Sequence, residues 1–427
     1  MKAVRQMALW SELRSPTAAL LYATVALCLI RSRDQPSVEI TLHGTTASIV
    51  PGDVALLALA VAAIGALARM TLPRVAWAVI VTAAVFCGLV VGTALGNGSA
   101  AVVAAVKVSE LAALGLGLLA FLRGERRVEA LADVLILFTA AAGVVGVVKF
   151  VTGGGGRQAS FLGEHDFAAL ATLTLLYGLV LFFEKRRVAR ATIAVVAGAL
   201  GCVLGSALAS LLGLYLGAIL IVTAAALARR LDLRAVTVTV LTLAVVTGGT
   251  LSIRAGDLSF LQAWFGKPET RPGQYAASWS QRLIFAYIGG RVFLAHPVLG
   301  SGWYPELPPK VFAVYLPAAR RRFSDQPARY FPSPTADFIP QQTFDQVLYE
   351  LGVVGGIALL ALLIAIGRAC AVAARWGGRL ALMPAAWFAA ALGAIAGEGL
   401  FGGTPLAAIF WIAAGTAAAF AVHAAAE

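Results

Sequence analysis

Between residues 254 and 344 the chain reads RAGDLSF LQAWFGKPET RPGQYAASWS QRLIFAYIGG RVFLAHPVLG SGWYPELPPK VFAVYLPAAR RRFSDQPARY FPSPTADFIP QQTF. This is the one long stretch that cannot sit in a lipid bilayer: it carries ten Lys/Arg, five Asp/Glu and eleven of the chain's seventeen prolines. The sequence on either side is apolar enough to span a membrane. A cationic, proline-rich segment between hydrophobic helices has no anchoring purpose of its own, so function is sought there.

The remainder sets the class. The chain is 60% hydrophobic and 13% charged, with a mean hydropathy of +0.86. Soluble domains are about 45–50% apolar and about 25% charged, so the composition is that of an integral membrane protein. The expected fold is all-α and polytopic, with about twelve transmembrane helices of roughly 17–24 residues. Their limits are near 15–31, 53–69, 75–96, 100–121, 128–150, 166–183, 190–206, 208–228, 235–253, 345–367, 379–397 and 404–424. The seventh and eighth form a tight hairpin at Gly205-Ser206. The chain thus divides into helices one to nine (1–253), a large extracytoplasmic loop (254–344) and helices ten to twelve (345–427). The loop is expected to contain short helices, one of them amphipathic over 279–294 and lying along the interface.

Charge gives the orientation. With the N-terminus cytoplasmic, the inside segments hold 18 of the 33 Lys/Arg, against about four in the short outside segments. That asymmetry follows the positive-inside rule at each short loop. Both termini are then cytoplasmic and the large loop lies on the outer face. The net charge of +12 has the same origin and implies membrane lipids rather than nucleic acid as surroundings. Cys28, Cys87, Cys202 and Cys370 lie far apart in or beside apolar runs, with neither disulfide nor zinc spacing. Asp34, Glu39 and Asp53 are too dispersed for a metal site and no Asp-x-Asp pair occurs, so no metal or other cofactor is called for. Lys107 and Glu110, one turn apart in the fourth span, are expected to pair.

Three constellations carry chemistry. Arg157 and Glu164-His165-Asp166 lie between the fifth and sixth spans, where Asp166 is placed to cap the sixth helix. Arg282 precedes His296-Pro-Val-Leu-Gly-Ser-Gly-Trp; beside aromatic residues it either grips a phosphate bidentately or snorkels. Gln341-Gln342, Asp345 and Glu350 enter the tenth span, where ionisable residues are costly and face a cavity or a neighbouring helix.

Together these resemble the bacterial O-antigen ligase and polymerase superfamily of membrane glycosyltransferases. The resemblance covers span number, loop position and three spaced motifs. Arg157, Gly163 and Phe167-Ala168 fit an Arg…Gly…Asn-Pro-Asn pattern; Arg282, Pro297, Leu299, Gly300 and Gly302 fit Arg…Trp…Pro-Leu-x-Gly-x-Gly. Gln346, Glu350, Gly352 and Gly355 fit the loop-closing His-Asn…Gln…Glu-x-Gly-x-x-Gly. The Asn-Pro-Asn position reads Glu164-His165-Asp166 here, and His-Asn reads Gln341-Gln342, amides that hydrogen-bond but do not titrate near neutrality.

The resemblance implies an inverting transferase in a bacterial inner membrane. It would move a glycan from a polyprenyl (undecaprenyl) diphosphate to a hydroxyl of a lipid- or glycan-anchored acceptor. Arg157 and Arg282 would hold the diphosphate, and Arg321, in the run Arg320–Arg322, would help gather it. Gln341, Gln342 and Glu350 would contact substrate. His165, Glu164 and Asp345, in that order, are candidates for the base. The competing readings are a lipid-linked oligosaccharide transporter or flippase, and a catalytically silent export scaffold.

Overall fold

The computed structural model describes residues 8–42, 45–153, 155–227, 231–255, 274–337, 342–397, 399 and 404–426. Nine of its helices are long and apolar enough to cross a membrane, the architecture of a multi-pass membrane protein. They are α4 (Arg74–Ala94), the bent pair α5 (Ser99–Glu110) and α6 (Ala112–Phe121), α7 (Glu125–Thr152), α8 (Glu164–Phe183) and α9 (Val188–Gly205). There follow α10 (Leu208–Leu227), α11 (Leu233–Ile253), α15 (Thr343–Trp376) and α17 (Thr404–Ala426). Three shorter apolar helices occupy the other expected spans: α2 (Pro16–Cys28), α3 (Pro51–Leu67) and α16 (Met383–Gly397). A short α1 (Ala8–Glu12) precedes them. Proline at the first position starts α2 and α3, where its missing N–H costs nothing. Ser206 is left-handed between α9 and α10, but the tight hairpin expected there does not form: α9 packs mainly on α8, and α10 on α16.

Two helices make the centre of the bundle. In α8 and α17, 94% of the apolar window is buried, against 22–44% in the other long helices, which keep an outward face. An all-round apolar helix such as α8 is stable only when surrounded by other helices. Its first turn therefore holds Glu164, His165 and Asp166 at the end of one of the two most enclosed long helices of the fold.

The large loop has a hydrophobic cluster of its own. Its helix α12 (Gln274–Ala295) contains the expected 279–294 helix and buries Ile284, Phe285, Ile288 and Val292. These pack with Phe312 of α13 (Pro309–Phe312), with Leu316 of α14 (Leu316–Arg322), and with Tyr330 and Phe331. The cluster also takes in Tyr349 of α15, so loop and bundle share one packed surface.

That junction is a broken helix. Within α15, Gly352 adopts φ 65°, ψ −162°, which interrupts the helical hydrogen bonds. The released groups are taken up by residues 297–302. Ser301 N–H donates to Tyr349 O (2.9 Å) and Gly302 N–H to Glu350 O (3.0 Å). Val353 N–H donates to Pro297 O (2.8 Å) and Val354 N–H to Val298 O (3.2 Å). A Cβ on Gly352 would lie 2.3 Å from Val298 O, and one on Gly300 2.2 Å from the Glu350 carbonyl carbon. Only glycine fits either position. The second and third constellations are therefore two halves of one interlocked structure.

The first outside loop carries an antiparallel hairpin of Val38–Leu42 and Thr45–Ile49, Val38 opposite Ile49. Two further expectations are corrected. Asp166 does not cap α8; Gly163 stands at the cap, and Asp166, third in the helix, is buried against Arg31 at 3.5 Å. Lys107 turns from Glu110 to Asp53, with Nζ 2.7 Å from Oδ2. Asp53 is fixed on the first turn of α3, where its Oδ2 also accepts the Val50 N–H, so the ammonium meets a carboxylate already in place.

Candidate functional site

The segment before α8 is held rigidly from several sides. Ser160 Oγ donates to Ala142 O at 2.7 Å, Lys149 Nζ to Ser160 O at 2.6 Å, and Gln158 N–H to Leu204 O at 2.9 Å. Arg157 emerges from this loop with its side chain only 9% exposed. Its Nε donates to Gly205 O at 3.2 Å, and one terminal nitrogen lies 2.8 Å from Glu164 Oε2. A burial this deep requires such compensation, because a lone guanidinium away from water is costly.

Two further arginines reach the same region from other parts of the chain. Arg254, just past the end of α11, donates to Ser206 O at 3.0 Å. Arg282, on α12, donates to Gly397 O at 3.0 Å, at the last residue of α16. Each guanidinium is thus anchored by one arm to a backbone carbonyl at a helix end. Arg157, Arg282 and Arg254 all lie within electrostatic reach of His165, and Arg282 also within reach of Asp345. The start of α8 adds its own partial positive charge. Planar, oriented guanidiniums grouped at a helix N-terminus suit a multiply charged oxyanion such as a diphosphate.

Of the residues singled out in the sequence, Arg157, Glu164, His165, Arg282 and Asp345 are brought together. Glu164 is committed to Arg157. Asp345 Oδ1 is buried with no hydrogen-bond partner among the described residues, as are Gln346 Oε1 and Glu350 Oε1. Glu350 is fully buried; Gln346 Nε2 donates to its Oε2 at 3.1 Å, and its backbone carbonyl receives Gly302. It sits in the last turn before the break at Gly352, and locks the loop as much as it faces any substrate. Gln342 caps α15. Gln341 lies outside the described residues. Arg321 stands exposed on the last turn of α14 and is not among the arginines whose charge acts on His165 or Asp345.

Arg254 is the addition that sequence reading missed. Its only sequence signal was its place at the membrane end of the ninth span, where a cation is ordinarily an interfacial anchor. The carbonyl it grips, Ser206, is 48 positions away. No protein-family model matches the chain, and no curated protein matches its sequence.

Proposed function

We propose that the chain is a membrane glycosyltransferase that takes a glycan from a polyprenyl diphosphate and delivers it to a hydroxyl of a second, lipid- or glycan-anchored acceptor. The observation that carries this reading is the convergence of Arg157, Arg254 and Arg282 around His165 from three distant segments. Loop charges favour an orientation with both termini cytoplasmic and the arginine group at the outer face; the bacterial inner membrane is what the resemblance to the O-antigen ligase and polymerase superfamily implies.

In this reading the acceptor oxygen attacks the anomeric carbon as the bond from that carbon to the phosphate oxygen breaks. The electron pair departs with the diphosphate, and the acceptor's proton passes to a base. Inversion follows from the single displacement. Arginines positioned beforehand stabilise the charge that develops on the leaving diphosphate and need no rearrangement during the step. Glu164 holds Arg157 in place, which leaves His165 and Asp345 as the groups for the proton. Gln342 and Gln341 are positioned in sequence to hydrogen-bond the acceptor.

The break at Gly352 supplies the observation that favours a transporter or flippase, since such proteins bind cargo at interrupted helices. Here, however, residues 297–302 take up the freed backbone groups, so the break serves the loop's attachment.

The test is turnover by purified protein in nanodiscs given a polyprenyl diphosphate glycan and a hydroxyl acceptor. Release of polyprenyl diphosphate with formation of the glycan–acceptor bond is expected. Arg157→Ala and Arg282→Ala are each expected to lower turnover by roughly 10²-fold, the usual scale for loss of one donor to a developing oxyanion. Full turnover in both variants would remove the site assignment. Movement of the glycolipid across sealed vesicles without transfer would favour the flippase.

A further inference from the structure

The end of the bundle opposite the arginine group holds a separate cavity of about 560 Å³. It lies where α8, α10 and α15 finish, some 30 Å from the site for a 20-residue helix such as α8. That volume is in the range of small-ligand sites, roughly 300–1,000 Å³. Its walls join apolar side chains, among them Phe183, Ala225 and Leu382, to Glu184, Lys185, Arg186 and Arg379.

The charges in this cavity are balanced but not all satisfied. Arg186 and Arg379 share the single carboxylate of Glu125, the latter at 3.0 Å, and Lys185 faces Asp232 at 3.4 Å. Glu184 Oε1 accepts the Leu380 N–H. Glu184 Oε2 is buried and has no hydrogen-bond partner among the described residues. Burial pushes this carboxyl above the usual range, against the pull of the Leu380 N–H and of Arg186. A purely anionic ligand would leave Oε2 unmet, and a purely cationic one would face the guanidiniums. A neutral zwitterion bearing N–H donors satisfies both.

We propose that this cavity binds the headgroup of an aminophospholipid. The phosphodiester would lie against Arg186 and Arg379, the ammonium would draw the Glu184 carboxylate round from its buried position to accept an N–H, and the chains would run along the apolar wall. This site is independent of glycan transfer. A phospholipid is favoured over a soluble zwitterion because Leu227 and Leu231, at this end of the bundle, are 82% and 53% exposed and continue the apolar surface outward.

The experiment measures binding of short-chain lipids to the purified full chain by calorimetry, with native mass spectrometry as a second readout. Dihexanoyl phosphatidylethanolamine is expected to bind at least tenfold more tightly than dihexanoyl phosphatidylcholine, whose trimethylammonium has no N–H to donate. Glu184→Gln keeps an acceptor for the Leu380 N–H and is expected to bring the ratio near one. Arg379→Gln is expected to weaken both lipids. Equal affinity for the two lipids in the unaltered protein would overturn the proposal without recourse to any variant. So would a preference that survives Glu184→Gln, tighter binding of dihexanoyl phosphatidylglycerol, or equally tight binding of O-phosphoethanolamine.

Discussion

Lys107 has two carboxylates within reach and chooses the one that is distant in sequence. Asp53 is fixed at the start of α3, so its oxygen is in place before the ammonium arrives, and a pair of this kind loses little side-chain freedom. Lys107→Met is expected to cost about 2 kcal/mol, less than for a fully buried pair because water reaches its lysine end. The check is thermal unfolding in detergent. Asp53→Asn should lower Tm more than Glu110→Gln; the reverse order would return the lysine to Glu110. The same principle limited what could be read in advance at the candidate site. Arg157, Glu164 and His165 are near neighbours in sequence, and their association was legible there. Arg254 and Arg282 join them only because the carbonyls of Ser206 and Gly397 come within reach on folding.

At the scale of elements, the most informative one is α15. At 34 residues it is roughly 51 Å long, well beyond a hydrocarbon core of about 30 Å. The break at Gly352 divides it into a short half, which packs Tyr349 into the loop and Val347 and Leu351 into the bundle, and a long half that belongs with the bundle. Gly352→Ala combines a backbone conformation nearly closed to other residues with a contact of 2.3 Å to Val298 O, and is expected to destabilise by at least about 2 kcal/mol. Gly65→Ala is the control: it is helical with nothing within 4 Å of the added methyl, and is expected to be neutral or slightly stabilising. Comparison of the two Tm values decides the matter; equal values would mean that the interlock contributes nothing. The glycine spacing in both loop motifs was visible in the sequence. Its cause, one backbone segment filling a gap in another, was not.

For the whole molecule, the arrangement of loops sets which face each group meets. Single cysteines in an otherwise cysteine-free chain test it. Ser333→Cys, exposed in the large loop, is expected to react with a membrane-impermeant maleimide on intact cells. Arg375→Cys, exposed at the far end of α15, is expected to react only after permeabilisation. Labelling of both on intact cells would overturn the orientation, and with it the placing of the arginine group at the outer face.

The sequence by itself determined the class of fold, an all-α chain rich in apolar helices, nine of them among the described residues long enough to cross a membrane, because that follows from local composition. Hydrocarbon accepts a run of apolar residues or rejects a charged one whatever the rest of the chain does. Tertiary structure alone decided the partners: Lys107 with Asp53, Asp166 with Arg31, residues 297–302 with the broken helix, and a third arginine in the group. In a membrane interior the apolar surface hardly distinguishes one neighbour from another. Pairing is settled by close packing and by the few polar groups that must find each other across the chain.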